Sequence, residues 1–176
     1  MKKNIPFIFL CFFTNFLFSQ ENKTTLPTHE LRLNLLYAAV GLPEISYEKI
    51  INNESSYGVS FAFSLDSYID LNYIILPYYR HYFSKKRAAG FFMEANASLG
   101  SFKGSFYGYL SDDGRYYGSD VGNRTGAGLG FSIGQKFITK QNWTANITLG
   151  VSRNIVNNIF IDGSYPRIEI ALGKRF

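Results

Sequence analysis

The 176-residue sequence predicts an all-β protein, an eight-stranded antiparallel transmembrane up-and-down β-barrel. Three observations predict it. Apolar residues recur with period two in about eight segments of the length a tilted membrane strand requires. No stretch beyond the N-terminus keeps them at helical spacing for three turns. The strand ends beside the short turns are aromatic, as at a membrane interface. The length allows one domain and hardly two, and 46% hydrophobic content with 17 Phe and 13 Tyr excludes a disordered chain.

Before the strands, Lys2 and Lys3 precede an apolar run over 5–18, broken only by Pro6, Thr14 and Asn15, and then Ser19, Gln20 and Glu21. This is the pattern of a secretory signal peptide, and the run is shorter than the ~20 residues a spanning helix needs. Cleavage is expected after Ser19. The chain then divides into a signal peptide 1–19, a periplasmic lead-in 20–30 and a barrel 31–176. Cys11, the single cysteine, leaves with the peptide, so a disulfide or a cysteine-ligated metal is not expected. Losing Lys2 and Lys3 lowers the formal charge from +5 to +3, too weak a balance for a nucleic-acid partner.

In the first strand Leu31, Leu33, Leu35 and Tyr37 oppose Arg32, Asn34 and Ala38, before a turn at Gly41, Leu42 and Pro43. Ile45 and Tyr47 then alternate with Glu44, Ser46 and Glu48. Tyr57, Val59, Phe61 and Phe63 alternate with Gly58, Ser60, Ala62 and Ser64. The fourth segment, 71–83, sets Tyr73, Ile75, Pro77 and Tyr79 against Asn72, Tyr78 and Arg80. Pro77 donates nothing to a ladder and is expected to mark a bulge or a tolerated gap. After Lys85, Lys86 and Arg87, the residues Phe91, Met93, Ala95, Ala97 and Leu99 oppose Glu94, Asn96, Ser98 and Gly100. Residues 103–122 read as a long irregular loop. Leu129, Phe131, Ile133 and Phe137 then oppose Arg124, glycines, Ser132 and Lys136. Trp143, Ile147, Leu149 and Val151 oppose Thr144, Asn146, Thr148 and Ser152, and Ile168, Ile170 and Leu172 oppose Arg167, Glu169 and Arg175.

Residue size decides which face is inside. The polar face is rich in Gly, Ala and Ser, which suit a narrow interior, and carries Arg32, Arg80, Arg124 and Arg167 with Glu48, Glu94 and Glu169, which pair there in this reading. A soluble sheet would dress its solvent face in Lys and Glu instead. Tyr57, Phe83, Phe91, Phe137, Trp143 and Phe176 form one aromatic girdle, and Tyr37 and Tyr73 begin the second. Turns after strands two, four and six are short and those after three, five and seven longer, with the turn at Gly41 the exception. This asymmetry places both termini in the periplasm and the 103–122 and 153–166 loops outside.

The stretches 33–37 with Gly41, Leu42, Pro43 and Glu48, and 76–83 with Pro77 and Arg80, resemble small eight-stranded outer-membrane barrels. The likeness is OmpA-like and OmpX-like in architecture and closer to uncharacterised Bacteroidota barrel proteins. The final strand ending on Phe176 is similar to the signal read by the barrel assembly machinery, with Lys174 departing from it. The resemblance implies a fold and an outer-membrane location, with outer-membrane lipids and the assembly machinery as partners; it implies no activity.

The sequence singles out no catalytic, cofactor-binding or metal-ligating residue, and no cofactor. Only His29 and His81 exist, and neither has an evident Ser and carboxylate partner for nucleophilic chemistry. An interior of this size is filled by side chains, so its charges read as a packed plug and not a channel lining. Asp112, Asp113 and Asp120 lack regular calcium-ligand spacing and read as turn residues. Phe106, Tyr107, Tyr109, Tyr116 and Tyr117 offer contact area for an external protein or glycan, or extend the strands. The Asn-x-Ser/Thr triplets at 96, 142 and 146 follow from inward small polar residues at alternate positions. The expected role is structural or surface-interacting, as a monomer without catalysis. The rivals are a secreted soluble barrel with lipid inside and, behind it, an outer-membrane lipid-modifying enzyme.

Overall fold

A computed structural model describes residues 26–66, 68–103, 105–110, 116–156 and 164–176, with 105–110, 116–121 and 164 given by backbone alone. The expected signal peptide and its cleavage site, and Asp112 and Asp113, lie outside the described residues. The elements are β1 His29–Asn34, α1 Leu35–Ala39, β2 Glu44–Ile50, β3 Ser55–Phe63, β4 Leu71–Tyr82, β5 Gly90–Phe102, β6 Ser105–Leu110, β7 Tyr116–Val121, β8 Arg124–Ile138, β9 Trp143–Val156 and β10 Ser164–Arg175. Eight of them close a barrel in the order β1-β10-β9-β8-β5-β4-β3-β2, every pairing antiparallel. Closure leaves the barrel no edge to cap.

The alternation read from the sequence is the alternation of burial. In β2, Glu44, Ser46, Glu48 and Ile50 are buried inside while Ile45, Tyr47 and Lys49 are exposed. The same phase runs through β4, β5 and β9, so the small and polar face lines the lumen and the large apolar face points outward all round. Glycines on the inner face make the lumen wide enough for its largest occupants. A Cβ on Gly58 would lie 2.4 Å from the Tyr78 hydroxyl, and one on Gly134 would lie 2.4 Å from the Phe92 ring.

Three local features depart from the sequence reading. The first strand is not continuous to Ala38. Asn34 stops it in an extended conformation (φ −78°, ψ 105°), its side chain accepts from the Tyr37 amide, and Leu35–Ala39 makes a short helix of good helix formers. Gly41, at φ +82°, then turns the chain back into β2. Tyr37 is therefore not a girdle residue; it leans over the barrel end, and its hydroxyl donates to the Pro166 carbonyl at 3.0 Å. Within the stretch read as an irregular loop, residues 105–110 and 116–121 are regular, because β6 and β7 pair as a two-stranded hairpin separate from the barrel sheet. Pro77 meets the second of its two expectations, keeping register and facing outward as a tolerated gap, and the bulge in this strand falls between Leu71 and Tyr73. Arg124, read as a lumen charge, is exposed where β8 rises past the barrel mouth.

Connection lengths sort the two ends. Residues 51–54, 83–89 and 139–142, none longer than seven residues, connect strands at the end carrying His29 and Arg175, and 35–43, 64–70, 103–123 and 157–163, none shorter than seven, connect them at the other. With α1 included, the β1 to β2 connection ceases to be the exception.

Candidate functional site

The lumen is layered. At the short-turn end Ile50, Tyr82, Ala88 and Phe92 form an apolar cluster, with Ala88 and Ala89 tucked fully inside. The turn that carries them is held by Arg175, whose guanidinium donates to the Arg87 carbonyl at 2.9 Å and to that of Ala88 at 2.5 Å. At the opposite end Leu42, Ala62, Leu71, Ile74, Leu76, Phe102 and Tyr165 form a second cluster, with Tyr37 and Ile69 packed against it. Each mouth of the barrel is thus closed by apolar side chains.

Between the two stoppers lie ten charged residues buried from solvent. Glu30, Glu44, Glu48, Glu94 and Glu169 face Arg32, Arg80, Lys136, Arg167 and Arg175, five of each sign, so among the described residues the interior is neutral. They form one connected network. Arg175 donates to Glu30 at 2.8 Å; Glu30 accepts from Arg32 at 3.0 Å and from Lys136 at 3.2 Å. Glu48 accepts from Lys136 at 2.7 Å, from Arg80 at 3.4 Å and from Arg32. Arg80 donates to Glu94 at 2.7 Å and to Glu169 at 2.9 Å, and Arg32 reaches Glu169 at 3.2 Å. Arg167 closes the chain, donating to Glu94 at 3.2 Å and to Glu44.

Removing such charges from water costs several kcal/mol per ion, which is offset only when each has several well-placed partners. These do. Hydroxyls and amides fill the positions left over: Tyr82 donates to Glu48 at 2.9 Å, Thr148 to Glu169 at 2.8 Å, Thr144 to Glu30 at 3.1 Å and the Asn34 amide to Glu44 at 2.9 Å. The Arg80 guanidinium also lies 4.4 Å from the centre of the Phe92 ring and 4.7 Å from that of Tyr78. The chemistry of such a lumen is mutual neutralisation, with its groups turned on each other.

Of the charges singled out from sequence, the structure brings together Arg32, Arg80, Arg167, Glu48, Glu94 and Glu169 and leaves out Arg124. Glu44, Lys136 and Arg175 lay on the polar face without being counted as pairing partners. Glu30 falls in the expected lead-in 20–30, but β1 begins at His29 and brings Glu30 into the lumen, two residues from Arg32 and on the same face. Asn96 and Asn146, the first residues of two triplets, are buried in the lumen, and Asn142 occupies a left-handed turn position at φ +65°.

The outward face carries the remaining candidates. His29 Nδ1 shares a hydrogen bond with the Tyr47 hydroxyl at 2.5 Å and its ring stacks between Tyr47 and Phe176. His81 meets the Phe83 ring edge-on at 4.8 Å. The two histidines sit in separate aromatic contacts on β1 and β4. Tyr57, Phe83, Phe91, Phe137, Trp143 and Phe176 are all exposed at the short-turn end. Lys174, the outward lysine among them, donates to the Gln141 carbonyl at 2.5 Å and lies 5.1 Å from the centre of the Trp143 ring. In the hairpin, Tyr109 pairs with Tyr117 and Phe106 with Asp120.

A family model described as a protein of unknown function, DUF3575, matches residues 7–159. The chain belongs to the DUF3575 family. The match begins inside the apolar N-terminal run and covers β1 through β9 with the β6 to β7 hairpin. No curated protein matches the chain, and no solved structure does. In this chain the matched stretch forms nine of the ten strands, with the lumen of the closed β-barrel ion-paired.

Proposed function

We propose that the chain is an integral outer-membrane barrel, sealed and non-catalytic, that serves as a scaffold holding its loop-end segments at the cell surface. The observation that carries this reading is the inverted polarity of the barrel. Leu31, Val59, Phe61, Ile75, Leu129, Phe131, Leu149 and Leu172, from six of the eight barrel strands, are exposed, while charged side chains fill the interior. In water such a belt is a large continuous apolar surface, whereas hydrocarbon is its natural solvent, and a closed barrel leaves no backbone group unsatisfied there. The aromatic ring at the short-turn end, the asymmetry of the connections and the apolar N-terminal run read as an export peptide support the same placement. The arrangement resembles OmpA-like and OmpX-like barrels, with lipids and the assembly machinery as partners and a single chain as the unit.

The rival reading, a soluble barrel around a lipid, needs an apolar cavity, and the space is taken by paired charges. Fractionation of cells expressing the full chain tests the proposal. A band in the outer-membrane fraction whose gel mobility changes on boiling in detergent is expected; a freely soluble periplasmic protein would overturn it.

A further inference from the structure

The exposed charges of the described residues are distributed unevenly between the two ends. Among the side chains there, the short-turn end carries Lys49, Lys85, Lys86 and Lys140 exposed and Arg87 and Lys174 half-buried, against Glu54. The loop end carries Lys103, Arg124 and Arg153 against Asp66 and Asp70. Lys49, Lys85, Lys86 and Lys140 point into solvent at the rim, all of them exposed. They are also spread round the rim, on β2 and on the two turns that join β4 to β5 and β8 to β9.

Their depth is fixed by the aromatic girdle. Lys49 lies opposite Tyr57 in the β2 to β3 register, and on its other side opposite His29. Lys85 and Lys86 follow Phe83 in the turn after Ser84, Lys140 comes three residues after Phe137, and the Lys174 ammonium lies over the Trp143 ring. Aromatic rings of this kind settle at headgroup level, and long cationic side chains reach the same level with their stems along apolar surface. A cation ring at headgroup depth meets lipid phosphate before it meets anything else, and cations near an anionic leaflet gain from its surface potential.

We propose that the short-turn rim is a binding surface for anionic phospholipid headgroups, recruiting a shell of negatively charged lipid around the periplasmic end of the barrel. This rests on the membrane reading above and deepens it by naming the lipid class and the residues that select it. Trp143, the single tryptophan of the chain, stands in the ring and reports on it.

The test uses the full chain refolded into phosphatidylcholine vesicles containing a minor fraction of phosphatidylglycerol, with bromine placed on the acyl chains of one lipid or the other. At equal bromine content, several-fold more quenching of Trp143 by brominated phosphatidylglycerol is expected. Raising the salt toward 1 M, where screening reaches about 3 Å, is expected to remove the excess. Combining Lys49→Gln, Lys85→Gln, Lys86→Gln and Lys140→Gln should abolish the excess and leave the phosphatidylcholine quenching and the heat shift intact. Equal quenching by the two lipids, or an excess that survives high salt, overturns the lipid-selecting rim while leaving the membrane reading in place. No quenching by either lipid overturns both. The salt series needs no variant, so a substituted chain that fails to fold does not spare the proposal.

Discussion

At the scale of single residues, the lumen shows how a charge becomes a structural element. Glu48 accepts from Arg32, Arg80 and Lys136 and from the Tyr82 hydroxyl, so it is the hub at which most of the network meets. Glu48→Ala leaves three cations facing one fewer carboxylate in a space closed to water. It is expected to lower unfolding stability by about 3–5 kcal/mol, read as the urea midpoint of the refolded barrel. Glu54→Ala, on the exposed β2 to β3 turn, should change it by no more than about 0.5 kcal/mol. Equal effects of the two would show that the lumen pairs contribute nothing specific. The residue scale also shows the limit of pattern reading. Arg32 and Arg80 were legible because alternation fixes the direction of a strand side chain, whereas Arg124 keeps the right phase and fails because its strand has left the barrel mouth.

At the scale of elements, Asn34 decides where β1 ends. Its amide donates to Glu44 at 2.9 Å and to the Ile168 carbonyl at 3.0 Å, while its oxygen accepts from the amides of Tyr37 and Ile170 at 3.4 and 3.3 Å. One side chain thereby ties β1, α1, β2 and β10. Asn34→Ala is expected to cost about 1–2 kcal/mol and to make the 35–43 connection more sensitive to protease, with the heat shift retained. Unchanged proteolysis would mean that α1 is held by Leu42 and Tyr37 packing alone. The turn over 83–89 is the matching device at the other end, where Arg175 draws two backbone carbonyls into the barrel. Neither element follows from periodicity, because each exists through a contact with a strand distant in sequence.

At the scale of the molecule, the two apolar clusters and the neutral network between them make the barrel a solid object. Incorporation into planar bilayers is expected to give no single-channel current. Steps of conductance from the intact chain would show that a stopper moves, with the 83–89 turn the first to examine by removing its Arg175 anchor. Sealing the lumen directs function outward, to the apolar belt, the cationic rim and the segments at the loop end, where the β6 to β7 hairpin stands apart from the barrel sheet.

The sequence by itself determined the strand class, the inward and outward phase of nearly every strand residue and the position of the aromatic ring. Each of these depends on a period of two or on the chemistry of neighbours along the chain. Only the tertiary structure decided that the first strand stops at Asn34, that residues 105–110 and 116–121 pair with one another, that Glu30 belongs inside and Arg124 outside, and that apolar residues close both mouths. Those outcomes depend on barrel closure, which sets side chains from strands far apart in sequence against each other in a lumen too narrow to leave a charge unpaired.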